Sequence, residues 1–251
     1  MEVHLLGTAG YHPNENRHTA CMMVPEAGVI LDAGTGFFRV RDLIQTPDLH
    51  IFMSHCHLDH CVGLSFFIDV IHEKNIENIF VYGAEDKLKS IQQHLFSEDL
   101  FPLQPDFHWT PLTGDDIALP MEGTAKTIAL EHPGGSLGFR LEWPGQSLAY
   151  ITDTTARVDA NYIPFIRDVD LLLHECHFPD GMEKLAETTG HSCLTPVAEV
   201  CRAANVKQAV IVHLNPLLES NPPLDLATVD SIYHNLTLGA DRMKVRFPAN
   251  V

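Results

Sequence analysis

Short apolar runs rich in Val, Ile and Leu alternate along the chain with stretches in which apolar residues recur at helical spacing. The short runs predict strands over Val3–Leu6, Cys21–Val24, Val29–Leu31, Leu49–Met53, Ile79–Tyr82, Thr127–Glu131, Gly138–Glu142, Leu148–Thr152, Asp170–His174, Ala209–His213 and Lys244–Phe247. The amphipathic stretches predict helices over Phe37–Ile44, Cys61–His72, Ala84–Leu95, Asn161–Ile166, Thr195–Ala204 and Leu226–Leu236. Thr195-Pro196 marks a helix start, because proline is tolerated in a first turn whose amides lack partners anyway. Strands and helices are interleaved throughout, so the pattern predicts an α/β or α+β chain.

Composition narrows the class. The 251 residues fit one domain, 1–251, with a full hydrophobic core. At 45% hydrophobic and 20% charged, the chain resembles an ordinary globular protein. No apolar run reaches the roughly 18 residues a membrane span needs. The first residues have no basic region followed by a long apolar one, so no secretory signal is expected. Six cysteines lie scattered without a Cys-x-x-Cys pair, which fits reduced thiols in a cytoplasmic protein. The formal net charge of −17 repels a polyanion and disfavours RNA as a partner. Sixteen histidines direct attention to metals.

The decisive segment is Ser54-His55-Cys56-His57-Leu58-Asp59-His60, which follows an apolar strand and precedes an apolar helix. A strand end places alternate side chains on one side, so His55 and His57 can share a metal while Cys56 points away into the core. The chain then turns, and Asp59 and His60 can reach a second one. Imidazole and carboxylate ligands suit zinc, with manganese or iron as alternatives. His132, Asp153 and His213 each sit at or just past the end of a predicted strand, where a rigid scaffold presents functional groups. Alone, each would fit a structural role; in this order, after the histidine-rich motif, they read as ligands.

Order and context resemble the metallo-β-lactamase superfamily over nearly the whole chain. The resemblance implies an αββα sandwich of two mixed sheets flanked by helices, and a hydrolase with two divalent metal ions. It assigns His55, His57 and His132 to one metal, Asp59, His60 and His213 to the other, and Asp153 as the bridge. Asp32, in Leu31-Asp32-Ala33-Gly34-Thr35-Gly36, resembles the aspartate that orients the site from behind the ligands. A water acidified by the ions would be the nucleophile.

Two further segments point to a branch. Leu173-His174-Glu175-Cys176-His177-Phe178 and Gly190-His191-Ser192 resemble paired segments of ribonuclease Z, and the N-terminal Leu6-Gly7-Thr8-Ala9-Gly10 with Arg17-His18-Thr19 does likewise. The resemblance makes Glu175 and His191 catalytic together with Asp59, and implies a phosphodiesterase. Two departures qualify it. Only 20 residues separate His132 from Asp153, too few for the basic arm that binds tRNA in long-armed members, and Leu214-Asn215-Pro216 replaces the family's Ser/Arg-containing tail. The run from His132 to Phe139 resembles small phosphodiesterases instead, with Gly134, Gly135 and Ser136 as candidate phosphate contacts and His18 as a candidate substrate contact. The expected partner is a small phosphodiester, and a homodimer is compatible with the resemblance. The alternatives are a lactonase or thioesterase with the same ligands, which does not require the Glu175/His191 pair, and a non-catalytic metal-loaded cofactor-biosynthesis protein.

Overall fold

In the computed structural model, residues 1–218 and 224–248 are described. The chain forms two compact units. One comprises Met1–Asp115 with Asp241–Val245; the other runs through Asp116–Ala240 and takes up the chain again at Arg246.

The first unit is built on a seven-stranded mixed sheet in the order β14-β1-β2-β3-β4-β5-β6. Its strands are β1 (Glu2–Gly7), β2 (Cys21–Val24), β3 (Val29–Leu31), β4 (Asp48–Phe52), β5 (Asn78–Gly83), β6 (His108–Pro111) and β14 (Lys244–Arg246). The β1-β2-β3 pairings are antiparallel and those from β3 to β6 parallel. A core of Leu49, Ile51, Met53, Val81, Phe37 and Phe96 packs on one face. Asp241 anchors the returning chain end by accepting from the Thr8 amide and hydroxyl at 3.0 and 2.8 Å and by pairing with Arg39.

The second unit repeats this plan with a sheet in the order β13-β12-β11-β10-β9-β8-β7. These strands are β7 (Ile117–Leu119), β8 (Gly123–Leu130), β9 (Ser136–Trp143), β10 (Gln146–Ile151), β11 (Leu171–Glu175), β12 (Gln208–Val212) and β13 (Leu236–Leu238). Strands β10 to β13 run parallel, and β7 to β10 antiparallel. The helix Leu194–Ala203 buries Val197, Ala198, Val200 and Cys201 against Leu172, Ala209 and Ile211.

Most predicted strands appear within two residues of their expected ends, apart from a four-residue extension at the start of β8; the helices differ more. Phe37–Ile44 is a 3₁₀ helix, Thr35–Leu43. Cys61–His72 is broken into Leu58–Cys61, a 3₁₀ turn Val62–Phe66 and Phe67–Ile71. The cause is Gly63, whose amide donates to Ala33 O at 2.8 Å and whose α-carbon lies so close that a Cβ would stand 2.1 Å from Gly34 O. Ala84–Leu95 starts as the helix Glu85–Ser90 and widens into a π-type turn, Ile91–Leu95. Asn161–Ile166 forms turns rather than a helix, since Pro164 removes an amide donor in its middle. Leu226–Leu236 is helical only over Leu226–Val229, capped by Asp225; the chain then supplies β13, which pairs in parallel with β12. That pairing satisfies backbone groups that a helix there would leave open. Strands β6 and β7 and the helix Glu183–Thr189 carried too little periodicity to be anticipated.

Candidate metal centre

In parallel sheets, functional groups gather beyond the carboxyl ends of the strands. Both units follow this rule. In the first, β3 leads into Asp32 and β4 into Ser54 and His55, with Asp59 and His60 on the short helix that follows. Asp32 is fully buried, with φ of 56°. Its Oδ1 accepts the Ser54 amide at 2.7 Å, and its Oδ2 accepts the Ser54 hydroxyl and His60 Nδ1, each at 2.7 Å. A carboxylate at Nδ1 fixes the His60 tautomer and aims its Nε2 lone pair outward. That Nε2 lies 3.4 Å from Asp59 Oδ2, so the two are neighbouring groups of a type that could hold a metal. The His55 ring centroid lies 4.4 Å from that of His57 and 4.3 Å from that of His60. Asp32 thus stands on the Nδ1 side of the His60 ring, away from its Nε2.

In the second unit, β10 leads into Asp153 and β12 into His213, with φ of 48° and 55°. Left-handed backbone at non-glycine residues is costly and collects at functional sites. His132 Nε2 lies 3.5 Å from Asp153 Oδ2, and His213 Nε2 lies 3.3 Å from Asp153 Oδ1. Each carboxylate oxygen therefore faces a different imidazole, the arrangement a bridging ligand needs. Three nearly buried ligand-type side chains in one place are chemically suited to a cation, which offsets the cost of burying the carboxylate. His132 Nδ1 is 3.0 Å from Gly190 O, which fixes that tautomer too.

Glu175 ends β11 and is fully buried. Its Oε1 accepts from the Thr154 amide at 2.9 Å and from His191 Nδ1 at 3.0 Å; its Oε2 accepts from the Ser192 amide at 3.2 Å. Burial acts to raise its pKa, but the His191 charge and hydrogen bond outweigh it and the net shift is downward. Ser192 Oγ donates to Thr154 O at 2.7 Å, closing a network that sequence reasoning passed over. His177, for which the sequence suggests a structural hydrogen-bonding role, stacks its ring on that of His191 at 4.6 Å, with Nδ1 3.3 Å from His213 O. Burial first, then the neighbouring His213 and His191, push the His177 pKa down to about 4. Ligand atoms of His177, His191 and His213 all lie within 4.8 Å of one another, so these three also form a set able to hold a metal. Gly190, the first residue of the Gly190-His191-Ser192 segment, caps the helix Glu183–Thr189. Its φ of 73° and its closeness to Pro133, 2.4 Å from an added Cβ, make glycine a requirement that joins His191 to His132.

The phosphate cradle expected at Gly134, Gly135 and Ser136 is a tight turn. Both glycines have positive φ, the Gly135 amide donates to His132 O at 2.8 Å, and buried Ser136 donates its hydroxyl to Thr152 O at 3.2 Å. Gly135 and Ser136 are thus engaged in shaping the turn. His174 has a structural place, bonded to Tyr162 and to the Glu175 carbonyl. His18 lies half-buried in the first unit, Nδ1 3.2 Å from Thr35 Oγ1.

Residues 28–214 match the family described as Beta-lactamase superfamily domain. The chain belongs to the β-lactamase superfamily. A ribonuclease Z of Methanosarcina acetivorans is 23% identical, with 99% of this chain and 98% of that protein covered. Among solved structures, the metallo-β-lactamase fold protein YhfI from Bacillus subtilis superposes with a TM-score of 0.78 at 16% identity, covering 98% and 99% of the two chains. The short form of human tRNase Z gives 0.76 at 20% identity, covering 99% and 100%. The fold expected from the sequence is thus the one found, with two seven-stranded mixed sheets accompanied by helices.

Proposed function

We propose that the protein is a metal-dependent phosphodiesterase acting on a small phosphodiester. The observation that carries this reading is the buried Glu175 with His191 3.0 Å from its Oε1, beside the imidazole of His213. Thioester hydrolysis expels a thiolate and does not call for such a pair; expulsion of an alkoxide does, because the departing oxygen needs a proton.

The ligand proposal takes His55, His57, Asp59 and His60 from the first unit and His132, Asp153 and His213 from the second, with two ions, zinc by preference, and residues 1–251 acting as one catalytic domain. When bound, the ions supply Lewis acidity toward the phosphoryl oxygens and lower the pKa of water toward neutrality. The chain's own residues do the rest. Asp32 holds His60 in the ligating tautomer, and Gly190 O does the same for His132. Glu175 stabilises and orients a protonated His191, which delivers its proton to the leaving oxygen. The −17 charge disfavours a long polyanion, so a small diester is favoured over tRNA, although the similar curated relatives are named ribonuclease Z.

The test is a hydrolysis panel on metal-loaded protein: bis(p-nitrophenyl) phosphate, a lactone, a thioester and a precursor tRNA. Hydrolysis of the diester with weak activity on the others is expected. Preferential lactone or thioester turnover would overturn the reaction class, and efficient trailer removal from tRNA at physiological salt would overturn the substrate size.

A further inference from the structure

The first unit holds a cavity of about 660 Å³ whose lining includes His18, Thr35, Phe38, Phe66, Ile68 and Asp69. Its walls are largely apolar, and Phe38 and Ile68 remain 45% and 43% exposed, so aromatic and aliphatic surface faces the opening. The His18 ring meets Phe38 edge-on at 5.0 Å, which braces one wall. Ser65 donates its hydroxyl to Val62 O, and the Thr35 hydroxyl already meets the Thr19 amide and His18 Nδ1, so the exposed Asp69 is the charged acceptor among the lining side chains. The Asp69 carboxylate makes no hydrogen bond or ion pair among the described residues, although the Asp69 carbonyl accepts from Arg41.

The cavity adjoins the ligand edge within the same unit. Thr35 follows Gly34, whose α-carbon sits so near Asp59 that a Cβ would stand 2.0 Å from Asp59 O. Pro13, another lining residue, lies on the loop whose Tyr11 amide donates to Asp59 Oδ2 at 2.7 Å. Tyr11 holds φ of 63°, a region bulky residues rarely enter, while its side chain is 74% exposed. Asn14 Oδ1 accepts the amides of Asn16 and Arg17 at 2.9 Å each, and Asn14 N donates to Arg17 O, so the loop is built in place. A mostly apolar pocket with a few polar groups is the form ligand sites take.

We propose that this pocket binds the ester group of the phosphodiester that stays on phosphorus, and that the group is a flat heterocycle carrying N–H donors, of nucleobase size. The inference rests on the phosphodiesterase reading. The aromatic walls offer stacking faces to a ring. The carboxylate of Asp69 accepts only, so it rewards a ring N–H or amino group and repels a second phosphate. The specificity is therefore for a mononucleoside ester over both a simple alkyl ester and a polynucleotide.

The test compares thymidine 5′-(p-nitrophenyl phosphate) with methyl p-nitrophenyl phosphate. Both expel p-nitrophenolate from a primary alkyl diester, so the difference reports the retained group. The wild type is expected to favour the nucleoside ester in kcat/KM by about 10- to 100-fold, the worth of burying one ring. Phe38→Ala and Phe66→Ala should each reduce that ratio about tenfold, with Asp69→Asn reducing it less. A wild-type ratio near one, a ratio unmoved by both aromatic substitutions, or a Phe38→Ala protein that changes only its oligomeric state would overturn the pocket. If neither ester is hydrolysed, the phosphodiesterase reading fails and calorimetry decides the pocket alone. Thymidine 5′-monophosphate should then bind more tightly than methyl phosphate, with the preference lost in Phe38→Ala; equal binding would overturn it.

Discussion

The two units place an aspartate at equivalent points and give it different work. Asp32 follows β3 in one, and Asp153 follows soon after β10 in the other. Both are nearly or fully buried, and both hold left-handed backbone, at φ of 56° and 48°. Asp32 takes an amide, a hydroxyl and an imidazole Nδ1 as donors, which makes it a brace. Asp153 accepts the Thr152 hydroxyl at 2.6 Å, yet each of its oxygens also faces an imidazole Nε2, the atom the proposed metals would take. Residue type, strand position and backbone geometry are therefore insufficient to distinguish a ligand from the group that orients ligands. The neighbour's atom decides.

The largest expected effect tests the Asp153 side of this contrast. Asp153→Ala should lower the bound metal by more than one equivalent in elemental analysis and reduce kcat/KM by about 10³- to 10⁴-fold, since several kcal/mol of Lewis-acid stabilisation go with the ions. Retention of two equivalents would remove the bridge. Next comes proton delivery in the same unit. His191→Ala should cut turnover of an alkyl diester by about 10²- to 10⁴-fold with metal content intact, and by less for a p-nitrophenyl leaving group, which departs without a proton. Equal losses on both substrates would argue against an acid. Metal loss would instead make His191 a ligand, together with His177 and His213.

Asp32→Asn addresses the other half of the comparison. Removing an orienting carboxylate costs about 10- to 100-fold in metal affinity, measurable by competition with a chromophoric chelator. An effect as large as that of Asp153→Ala would erase the distinction between brace and bridge. Gly190→Ala should be smaller, destabilising by about 1–2 kcal/mol through its left-handed backbone alone, with the Pro133 contact adding to this in a thermal or urea melt. The smallest change is a slope. His177 titrates near 6.5 when unfolded and near 4 when folded, so between those values the unfolded chain binds more protons. Metal-free protein should therefore lose stability as pH falls from 6.5 to 4, and His177→Gln should flatten part of that slope in urea titrations.

Much of this was legible in the chain. The strands β2 and β3 matched residue for residue because a short apolar run stopped by a proline, as at Pro25, or by a polar residue, as at Asp32, has few other uses. Candidate ligands were legible because histidines and aspartates rarely end apolar strands in such an order without a cation. The helix expected over Leu226–Leu236 failed because the open edge of β12 recruited Leu236–Leu238 as a strand. Ser136 looked like a phosphate contact until its hydroxyl was found on Thr152, sixteen residues away.

By itself the sequence determined the strand-and-helix alternation, the donor chemistry of His55, His57, Asp59, His60, His132, Asp153 and His213, and the acidic charge that disfavours polyanions. Only the tertiary structure decided that Ser54 is the partner of Asp32 across 22 positions, that Glu175 gathers Thr154, His191 and Ser192, and that Phe38 and Asp69 line one cavity. The reason is physical. Apolar periodicity and ligand chemistry are properties of neighbours along the chain, whereas the role of a buried polar group is set by the donor or acceptor that meets it. That partner comes from another strand end.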